Sequence, residues 1–383
     1  MNDRVRGSIR EEKQDPHLGM SAMSDPAPRT SDFAPRTPHL AFRTYVGLSI
    51  FLLLAFLIGV MQGAVLLSPA TILKILLKWA GVSVGTVTWL PADETILLQL
   101  RLPRVLGGAL VGAALATAGV LFQGLLRNPL ADPYIIGTSA GAGFAATVAM
   151  LLLPPASVLG FGSVALSAFV GGLFAVLLVY RLARVSGQMS VVSLLLAGVV
   201  VNTVLGYLGS LTIFLFEGSE FQVRRVFTWL MGGIAIHDPR QLWVVGPIIV
   251  CGIAVACGFA NSLNALALGE EGAVAVGVDL DREANRIIGL GALLTGAAVS
   301  VSGLIGFLGL AVPHILRLAI GPEHRRLLPA SALGGAALLI LADAAARSVV
   351  APAELPVGIF TALLGGPLFL FLLRRNGRER TWR

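Results

Sequence analysis

The run VLGGALVGAALATAGVLFQGLL, residues 105–126, decides the fold of this chain, because its 22 residues include no charged side chain. A helix of about 20 apolar residues is long enough to cross the hydrocarbon core of a bilayer. Glycine and alanine recur throughout the run, and such small residues let membrane helices approach one another closely. The run therefore predicts a transmembrane helix that packs tightly against its neighbours.

Composition extends this prediction to most of the chain. Of the 383 residues, 56% are hydrophobic and 13% are charged, whereas soluble domains carry about 25% charged residues. We therefore predict an all-α polytopic membrane protein with ten transmembrane helices, which excludes a soluble enzyme, a coiled coil and a disordered chain. The ten apolar runs are 44–67, 105–126, 134–153, 158–180, 191–216, 241–260, 287–303, 305–320, 328–346 and 356–373.

Polar segments flank a single membrane domain. Residues 1–42 are Pro-rich and lack hydrophobic periodicity, which predicts a flexible cytoplasmic tail, and residues 377–383 form a short cytoplasmic tail. Residues 43–376 form one ten-helix transmembrane domain. The net charge of +7 lies in tails and short loops rather than in a basic patch, so no nucleic-acid partner is expected. Cys251 and Cys257 share one apolar run, which indicates small apolar helix residues.

Basic residues predict the orientation in the membrane. With ten spans, nineteen of the 28 Lys and Arg residues fall on the same side as the N-terminus. Loops rich in Lys and Arg are retained in the cytoplasm. Both termini are therefore predicted to be cytoplasmic.

An internal repeat appears when the sequence is shifted by 184 residues. The identical residues include Gly107, Gly112, Gly119, Pro129 and Gly137, which match Gly291, Gly296, Gly303, Pro313 and Gly321. Five predicted spans separate the two copies, so the copies have opposite orientations in the bilayer. Inverted repeats of this kind are common in transporters.

The spans contain few groups that ion coupling or catalysis would use. Asp343 is the only carboxylate in a predicted span, whereas ion-coupled carriers place acidic side chains or broken helices at the midplane. The sequence has no GxxxxGK[ST] loop for nucleotide phosphates, so active transport requires a separate ATPase. His314 and Ser139 have no partners at catalytic spacing, and no catalytic residue or metal site is assigned. A stand-alone secondary transporter or channel, and a membrane enzyme for lipid-linked substrates, are the alternatives.

Residues 261–286 form the longest predicted cytoplasmic connection between spans. Gly269 and Gly277 bound a short segment with helical spacing, in which Val274 and Val276 are apolar. A short helix with exposed apolar side chains requires a covering surface. That surface is either a partner protein or the lipid headgroups.

Several motifs occur in order along the chain. They are RLPR (101–104), QGLLRNPLADP (123–133), LLLAG (194–198), WLMGG (229–233), LALGE (266–270), GFLGLAVPHILR (306–317), LAD (341–343) with Arg347, and ELPVG (354–358). Through these motifs the chain resembles, over about residues 44–375, the FecCD family of ABC-importer permeases. That family supplies the transmembrane subunits of type II importers for vitamin B12, haem and iron–siderophore chelates.

The resemblance implies an assembly in the bacterial cytoplasmic membrane. It implies a homodimer of ten-helix subunits, two copies of an ABC ATPase subunit, and a periplasmic or lipid-anchored substrate-binding protein. The fifth and tenth spans would line a pathway on the dimer axis. This chain would bind no cofactor, since ATP and Mg would lie on the ATPase. The chelate stays open among ferric siderophore, corrinoid and haem.

The resemblance also implies roles for residues at both membrane faces. Segment 263–279 would couple to the ATPase through Leu266, Leu268, Gly269, Glu270, Val274 and Gly277. Arg101, Arg104 and Arg347 would dock the binding protein, because exposed guanidinium groups suit carboxylates and accelerate encounter with an acidic partner. Topogenic or solvated charge is the alternative for these three arginines.

A cytoplasmic gate is the third implied site. Asn128 and Leu130 match the first half of the family gate, and the second half falls at Val191 and Val192. These valines lack the hydroxyl groups of the family pattern. A hydrophobic constriction still excludes water by dewetting, but hydrogen-bonded closure is not expected there.

Overall fold

A computed structural model describes residues 38–63, 65–82, 87–185, 188–216, 220–236 and 238–367. Most of the predicted tail 1–42, and all of the predicted tail 377–383, lie outside the described residues. The first helix, Pro38–Met61, begins inside the range predicted as tail. Proline suits the first turn of a helix, because an N–H there has no intrahelical partner.

Fifteen α-helices occupy the described residues. They are α1 Pro38–Met61, α2 Pro69–Trp79, α3 Pro91–Thr95, α4 Leu102–Leu125, α5 Thr138–Leu152, α6 Ser163–Ala183, α7 Val191–Leu215, α8 Glu220–Leu230, α9 Arg240–Gly258, α10 Ala260–Leu266, α11 Glu270–Ala275, α12 Leu280–Ser302, α13 Leu308–Ile320, α14 His324–Ser348 and α15 Val357–Pro367. A π-helical turn, Ile96–Arg101, joins α3 to α4, and a 3₁₀-helix, Pro133–Ile136, precedes α5. Two short antiparallel hairpins pair β1 (Ser157–Val158) with β2 (Phe161–Gly162) and β3 (Arg184–Val185) with β4 (Gln188–Met189).

Ten of these helical stretches are apolar. Seven are long enough to cross a membrane: Phe42–Met61, Pro91–Leu125, Ser163–Ala183, Val191–Leu215, Arg240–Gly258, Leu280–Ser302 and His324–Ser348. Three are shorter: Thr138–Leu152, Leu308–Ile320 and Val357–Pro367. Each predicted run overlaps one of these helices, which confirms an all-α polytopic membrane protein. The number of ten crossings stays a prediction, because three of the helices are shorter than a typical span.

The apolar stretch 287–320 holds two helices, as the sequence predicts. The first ends at Ser302 and the second begins at Leu308. Gly303 between them has a φ of 62°, and a Cβ at this position would collide with the carbonyl oxygen of Trp229. Glycine alone meets both conditions at low cost, so the chain breaks its helix there.

Helix α4 lies at the centre of the bundle and packs against α12, α13 and α14. Gly112 faces Gly335 of α14, and Gly119 faces Gly309 of α13. A Cβ on Gly112 or Gly119 would overlap the carbonyl group of the facing glycine. The small residues of run 105–126 therefore let the helix backbones touch, which is how helices associate inside a bilayer.

The bundle has two ends, which we name by their residues. The arginine end contains Arg101, Arg104 and Arg347, and the loop end contains α10 and α11. The 24 residues of α4 connect the two ends over about 36 Å, at 1.5 Å per residue. Near its last residue α4 contacts α10, because Gly124 faces the side chain of Leu263.

The two repeat copies run in opposite directions. The first copy begins with α4, which ends at the loop end, whereas the second begins with α12, which starts there directly after α11. Gly137 and Gly321 match in the repeat, and both have a positive φ, 98° and 94°. A helix follows each of them, α5 and α14. α4 and α12 are therefore antiparallel, as the predicted inverted repeat requires.

Candidate functional site

Two carboxylates and two arginines meet at the arginine end. Arg104 donates from Nε to Asp343 Oδ1 at 3.0 Å and from Nη1 to Glu354 Oε2 at 2.8 Å. Arg347 donates from Nε to Asp343 Oδ2 at 2.9 Å. The Asp343 side chain is 2% exposed and that of Glu354 is 54% exposed. Asp343 is therefore a buried carboxylate held between two guanidinium groups.

Arg347 and a third arginine, Arg101, bind the carbonyl groups at the C-terminal end of α1. Arg347 donates to the carbonyl oxygens of Gly59 and Gln62, each at 2.9 Å. Arg101 donates to the carbonyl oxygens of Val60 and Met61, each at 2.9 Å, and also to that of Val65. The last carbonyl groups of a helix lack intrahelical partners and carry partial negative charge. Two arginines distant in sequence therefore neutralise this helix end.

Burial distinguishes the three arginines predicted to dock a partner. Arg101 is 6% exposed and Arg347 is 5% exposed, whereas the Arg104 side chain is 20% exposed. In this conformation carbonyl groups occupy the donors of Arg101 and Arg347, so docking through them requires those bonds to open. The docking role of all three stays a prediction. Sequence reasoning missed their structural role, although the i,i+4 spacing of Asp343 and Arg347 was a sign of an ion pair.

At the loop end, α10 and α11 form a helix–turn–helix. Gly269 joins them with a φ of 95°, and Gly277 ends the segment with a φ of 86°. Leu266 is buried, whereas Leu268 is 67% exposed and Val274 is 57% exposed. The predicted coupling residues thus divide into one that anchors the segment, glycines that turn it, and apolar side chains that face outward.

Charged and polar side chains fix this segment to the bundle. Glu270 accepts from Arg127 at 2.6 Å, which ties α11 to the chain just beyond α4. Asn264 of α10 accepts from the backbone N–H of His324 at 3.0 Å. Asn261 accepts from Arg325 Nε at 3.0 Å. The loop end is therefore connected to both α4 and α14.

The predicted gate residues lie in two separate places, the turn after α4 and the start of α7. Asn128 Oδ1 accepts from the N–H of Leu130 at 2.9 Å, which closes a local turn after α4. Val191 and Val192 begin α7, and Val192 is 66% exposed. These valines carry no hydroxyl group, but serines flank them on both sides, and Ser190 Oγ contacts Ser193 Oγ at 2.9 Å. The gate assignment stays a prediction.

A buried glutamine, paired with a partly buried arginine, supports the turn that carries Asn128. Gln123 donates from Nε2 to the carbonyl oxygens of Ala131, Gly309 and Leu310 at 3.3–3.4 Å. Its Oε1 accepts from Arg317 Nη2 at 2.9 Å. One glutamine therefore joins α4, the following turn and α13. Sequence reasoning included Gln123 and Arg317 in motifs but assigned them no contact.

An apolar cavity of about 650 Å³ opens between α5, α7 and α8. Its lining includes Phe144, Phe214 and Phe227, with polar atoms from Ser139 and Asn202. Asn202 donates to the carbonyl oxygens of the 3₁₀-helix before α5. Ser139 lies on α5 among small residues, which fits helix packing.

Comparison with known proteins agrees with this architecture. A sequence profile described as the FecCD transport family matches residues 51–375. The cobalamin import system permease protein BtuC of Halobacterium salinarum is 45% identical over 73% of this chain and 74% of that protein. The hemin transport system permease protein HmuU of Yersinia pestis is 43% identical over 75% of this chain and 85% of that protein.

A vitamin B12 import system permease protein BtuC from Escherichia coli O157:H7 is 38% identical over 86% of this chain and 94% of that protein. A solved structure, a metal-chelate type ABC transporter in an inward-facing conformation, superposes with a TM-score of 0.74 at 31% identity, covering 88% of this chain and all of that chain. With a profile match over most of its length and relatives above 40% identity, this chain belongs to the FecCD transport family.

Proposed function

We propose that this chain is the transmembrane permease subunit of a type II ABC importer for a bulky metal chelate. It works as a homodimer in the bacterial cytoplasmic membrane, with both termini in the cytoplasm. A substrate-binding protein delivers the chelate to the arginine end, and two copies of a separate ATPase bind the loop end. The chain itself binds no cofactor and breaks no bond. Its relatives include permeases named for cobalamin and for hemin, which supports a corrinoid or haem as the cargo, with a ferric siderophore as the third candidate.

The exposed apolar side chains in and beside α11, within segment 263–279, carry this proposal. Leu268, Val274 and Val276 are 67%, 57% and 62% exposed in a segment that lies beyond the ends of the apolar helices. Exposed apolar side chains grouped in this way mark a surface for a partner. The salt bridge from Arg127 to Glu270 holds the segment against the bundle, so a partner that moves it also moves the end of α4.

Movement at the loop end then acts on the proposed gate. Arg127 lies directly before Asn128, and Gln123 holds the same turn from inside the bundle. ATPase closure therefore shifts the turn after α4, which is bound to both α11 and α13. The gate formed by this turn and the start of α7 in each copy opens or closes the pathway on the dimer axis.

Docking of the binding protein uses the accessible part of the arginine end. Arg104 and Glu354 present charge to solvent there, while Arg101 and Arg347 hold the surface in shape. Guanidinium groups at the rim attract an acidic partner and raise its association rate.

Reconstitution tests the proposal. The tagged chain is co-expressed with an ABC ATPase and a substrate-binding protein from its own organism, purified, and placed in liposomes. We expect the ATPase to co-purify and uptake of at least one of cyanocobalamin, hemin and ferric hydroxamate to require ATP. If the chain alone takes up one of these compounds in ATP-free liposomes under an ion gradient, it is a secondary transporter and the proposal is wrong.

A further inference from the structure

The first turn of α14 is capped by a residue from another helix. The N-terminal N–H groups of a helix lack intrahelical partners and are usually satisfied by the preceding side chain. Within the described residues, the side chain of the N-cap residue Glu323 pairs with the Arg326 side chain at 3.0 Å and accepts from no backbone N–H of this turn. Instead Asn264 of α10 accepts from the N–H of His324 at 3.0 Å and contacts His324 Nδ1 at 2.8 Å. α10 thus supplies the cap of α14.

A second bond repeats this connection one turn away. Asn261 lies three residues before Asn264 and therefore on the same face of α10. Its Oδ1 accepts from Arg325 Nε at 3.0 Å. Two asparagines of one helix thus hold two successive residues at the start of α14. Neither is among the outward-facing apolar residues proposed to meet the ATPase.

The opposite end of α14 lies in the arginine end. Asp343 and Arg347 are on its last two turns, and they bind Arg104 and the C-terminal carbonyl groups of α1. Asp343 and Arg347 lie 18 to 23 residues after His324 and Arg325 in α14, which places these contacts about 27–35 Å from the asparagine contacts, at 1.5 Å per residue. One continuous helix therefore makes buried polar contacts at both ends of the bundle.

Packing holds the middle of α14 against α4, beyond the internal Pro329. Gly335, near its middle, faces Gly112 of α4 so closely that a Cβ on either residue would overlap the other backbone. Interiors packed at this density transmit displacement rather than absorb it. α4 and α14 therefore move as one pair, joined at the middle by glycines and at the arginine end by Arg104 and Asp343.

We propose that α14 carries movement from the loop end to the arginine end, and that Asn261 and Asn264 are the positioning residues that fasten it to α10. The inference rests on the proposed function, because it takes α10 and α11 as the site that the ATPase moves. Nucleotide binding on the ATPase thereby changes the surface that receives the binding protein.

The test measures the far end of α14 while the near end is altered. Val349, which follows α14 and is 64% exposed, is replaced by cysteine in a chain whose Cys251 and Cys257 are replaced by serine. The complex with its co-purified ATPase is placed in nanodiscs. Labelling by a charged maleimide is timed without nucleotide and with Mg-ATP plus vanadate.

Asn264→Ala removes the acceptor, and Asn264→Asp keeps it. We expect the nucleotide-dependent difference in labelling rate to be present in the parent and in Asn264→Asp, and lost in Asn264→Ala. Asn285→Ala is the matched control, because Asn285 accepts from Tyr180 at 2.6 Å and joins α12 to α6 rather than to α14. That control should label like the parent.

The outcomes separate this inference from the proposed function. If no ATPase co-purifies with the parent chain, the proposed function fails. If the ATPase is present but labelling of the parent ignores nucleotide, or Asn264→Ala behaves like the parent, the inference is wrong. Loss of the ATPase from Asn264→Ala, or an equal effect of Asn285→Ala, also overturns it. Should Asn264→Ala not give monodisperse protein, Asn261→Ala carries the same test, because Asn261 is exposed.

Discussion

The arginine end and the loop end both contain salt bridges, but their surroundings differ. At the arginine end, Asp343 and Arg347 form a pair whose side chains are 2% and 5% exposed. At the loop end, Arg127 and Glu270 form a pair whose side chains are 39% and 63% exposed. Removing one partner of a buried pair leaves a buried charge that neither a partner nor water compensates, which is strongly destabilising. An exposed pair contributes little to stability.

This difference assigns separate tasks to the two ends. Buried guanidinium groups with matched acceptors hold three helices together, so changes there should alter folding. Exposed side chains on a short helix–turn–helix are free to meet another protein, so changes there should alter assembly. Salt bridges of the same chemistry therefore stabilise the fold at the arginine end and lie beside an interaction surface at the loop end.

Asp343→Asn should give the largest effect, and it tests the structural half of the comparison. It leaves Arg347 buried without its carboxylate and takes one of two carboxylates from Arg104. We expect a loss of about 3–5 kcal/mol in the free energy of unfolding, read as a lower midpoint of thermal unfolding in detergent. Glu270→Gln, at an exposed carboxylate, is the control and should leave the midpoint unchanged. Equal midpoints for the two variants would break the comparison.

Arg347→Lys sharpens the same point by keeping the charge. Lysine presents one ammonium group, so it cannot reach Asp343 and the carbonyl oxygens of Gly59 and Gln62 with the planar geometry of arginine. We expect a loss of about 1–3 kcal/mol, the cost of leaving buried acceptors unpaired, measured by the same thermal unfolding. Arg240→Lys is the control, because its side chain is 74% exposed. A stable Arg347→Lys would show that charge alone, without geometry, holds α1.

The fold was predictable from sequence because it follows from local composition. Run 105–126 predicts a helix and its close packing, and the shift of 184 residues predicts opposite directions for α4 and α12. The α1 start at Pro38 was missed, because a boundary depends on a few residues rather than on the average of a run. The break after Ser302 was predicted, but its cause was not, because the carbonyl oxygen of Trp229 that excludes a Cβ at Gly303 is distant in sequence.

Contacts between distant residues were much less predictable. The sequence identifies Arg101 and Arg347 as basic residues near a membrane face, which suits docking or topology equally. It contains no sign that the end of α1 passes beside them and turns their donors inward. The same holds for Asn264, whose role depends on where α14 begins. Burial, rather than residue type, decides between a docking and a structural arginine.

Val274→Asp tests the interaction half of the comparison. A carboxylate on this exposed position should change the free energy of unfolding by no more than about 0.5 kcal/mol. If the ATPase covers the surface, the buried charge should weaken its association by about 1–2 kcal/mol or more. The measurement is the yield of ATPase that co-purifies with the tagged chain, beside thermal unfolding of the chain alone. An unchanged yield would show that the ATPase does not cover Val274.

Glu354→Gln should give the smallest effect, and it asks whether the arginine end also serves interaction. Glu354 is half exposed and takes part of the charge of Arg104, so its removal leaves a more positive rim. Its surface salt bridge contributes at most about 1 kcal/mol to folding. Association with an acidic binding protein should become faster at low salt, and the gain should disappear when salt screens charges beyond about 10 Å.

Stopped-flow binding at two salt concentrations measures this change, and Glu271→Gln is the control. It removes the same charge from an exposed residue at the loop end, far from the docking surface. A faster rate for Glu354→Gln alone would mean that the arginine end combines a buried structural core with an accessible rim. Equal rates for both variants at low salt would confine these arginines to holding the helices together.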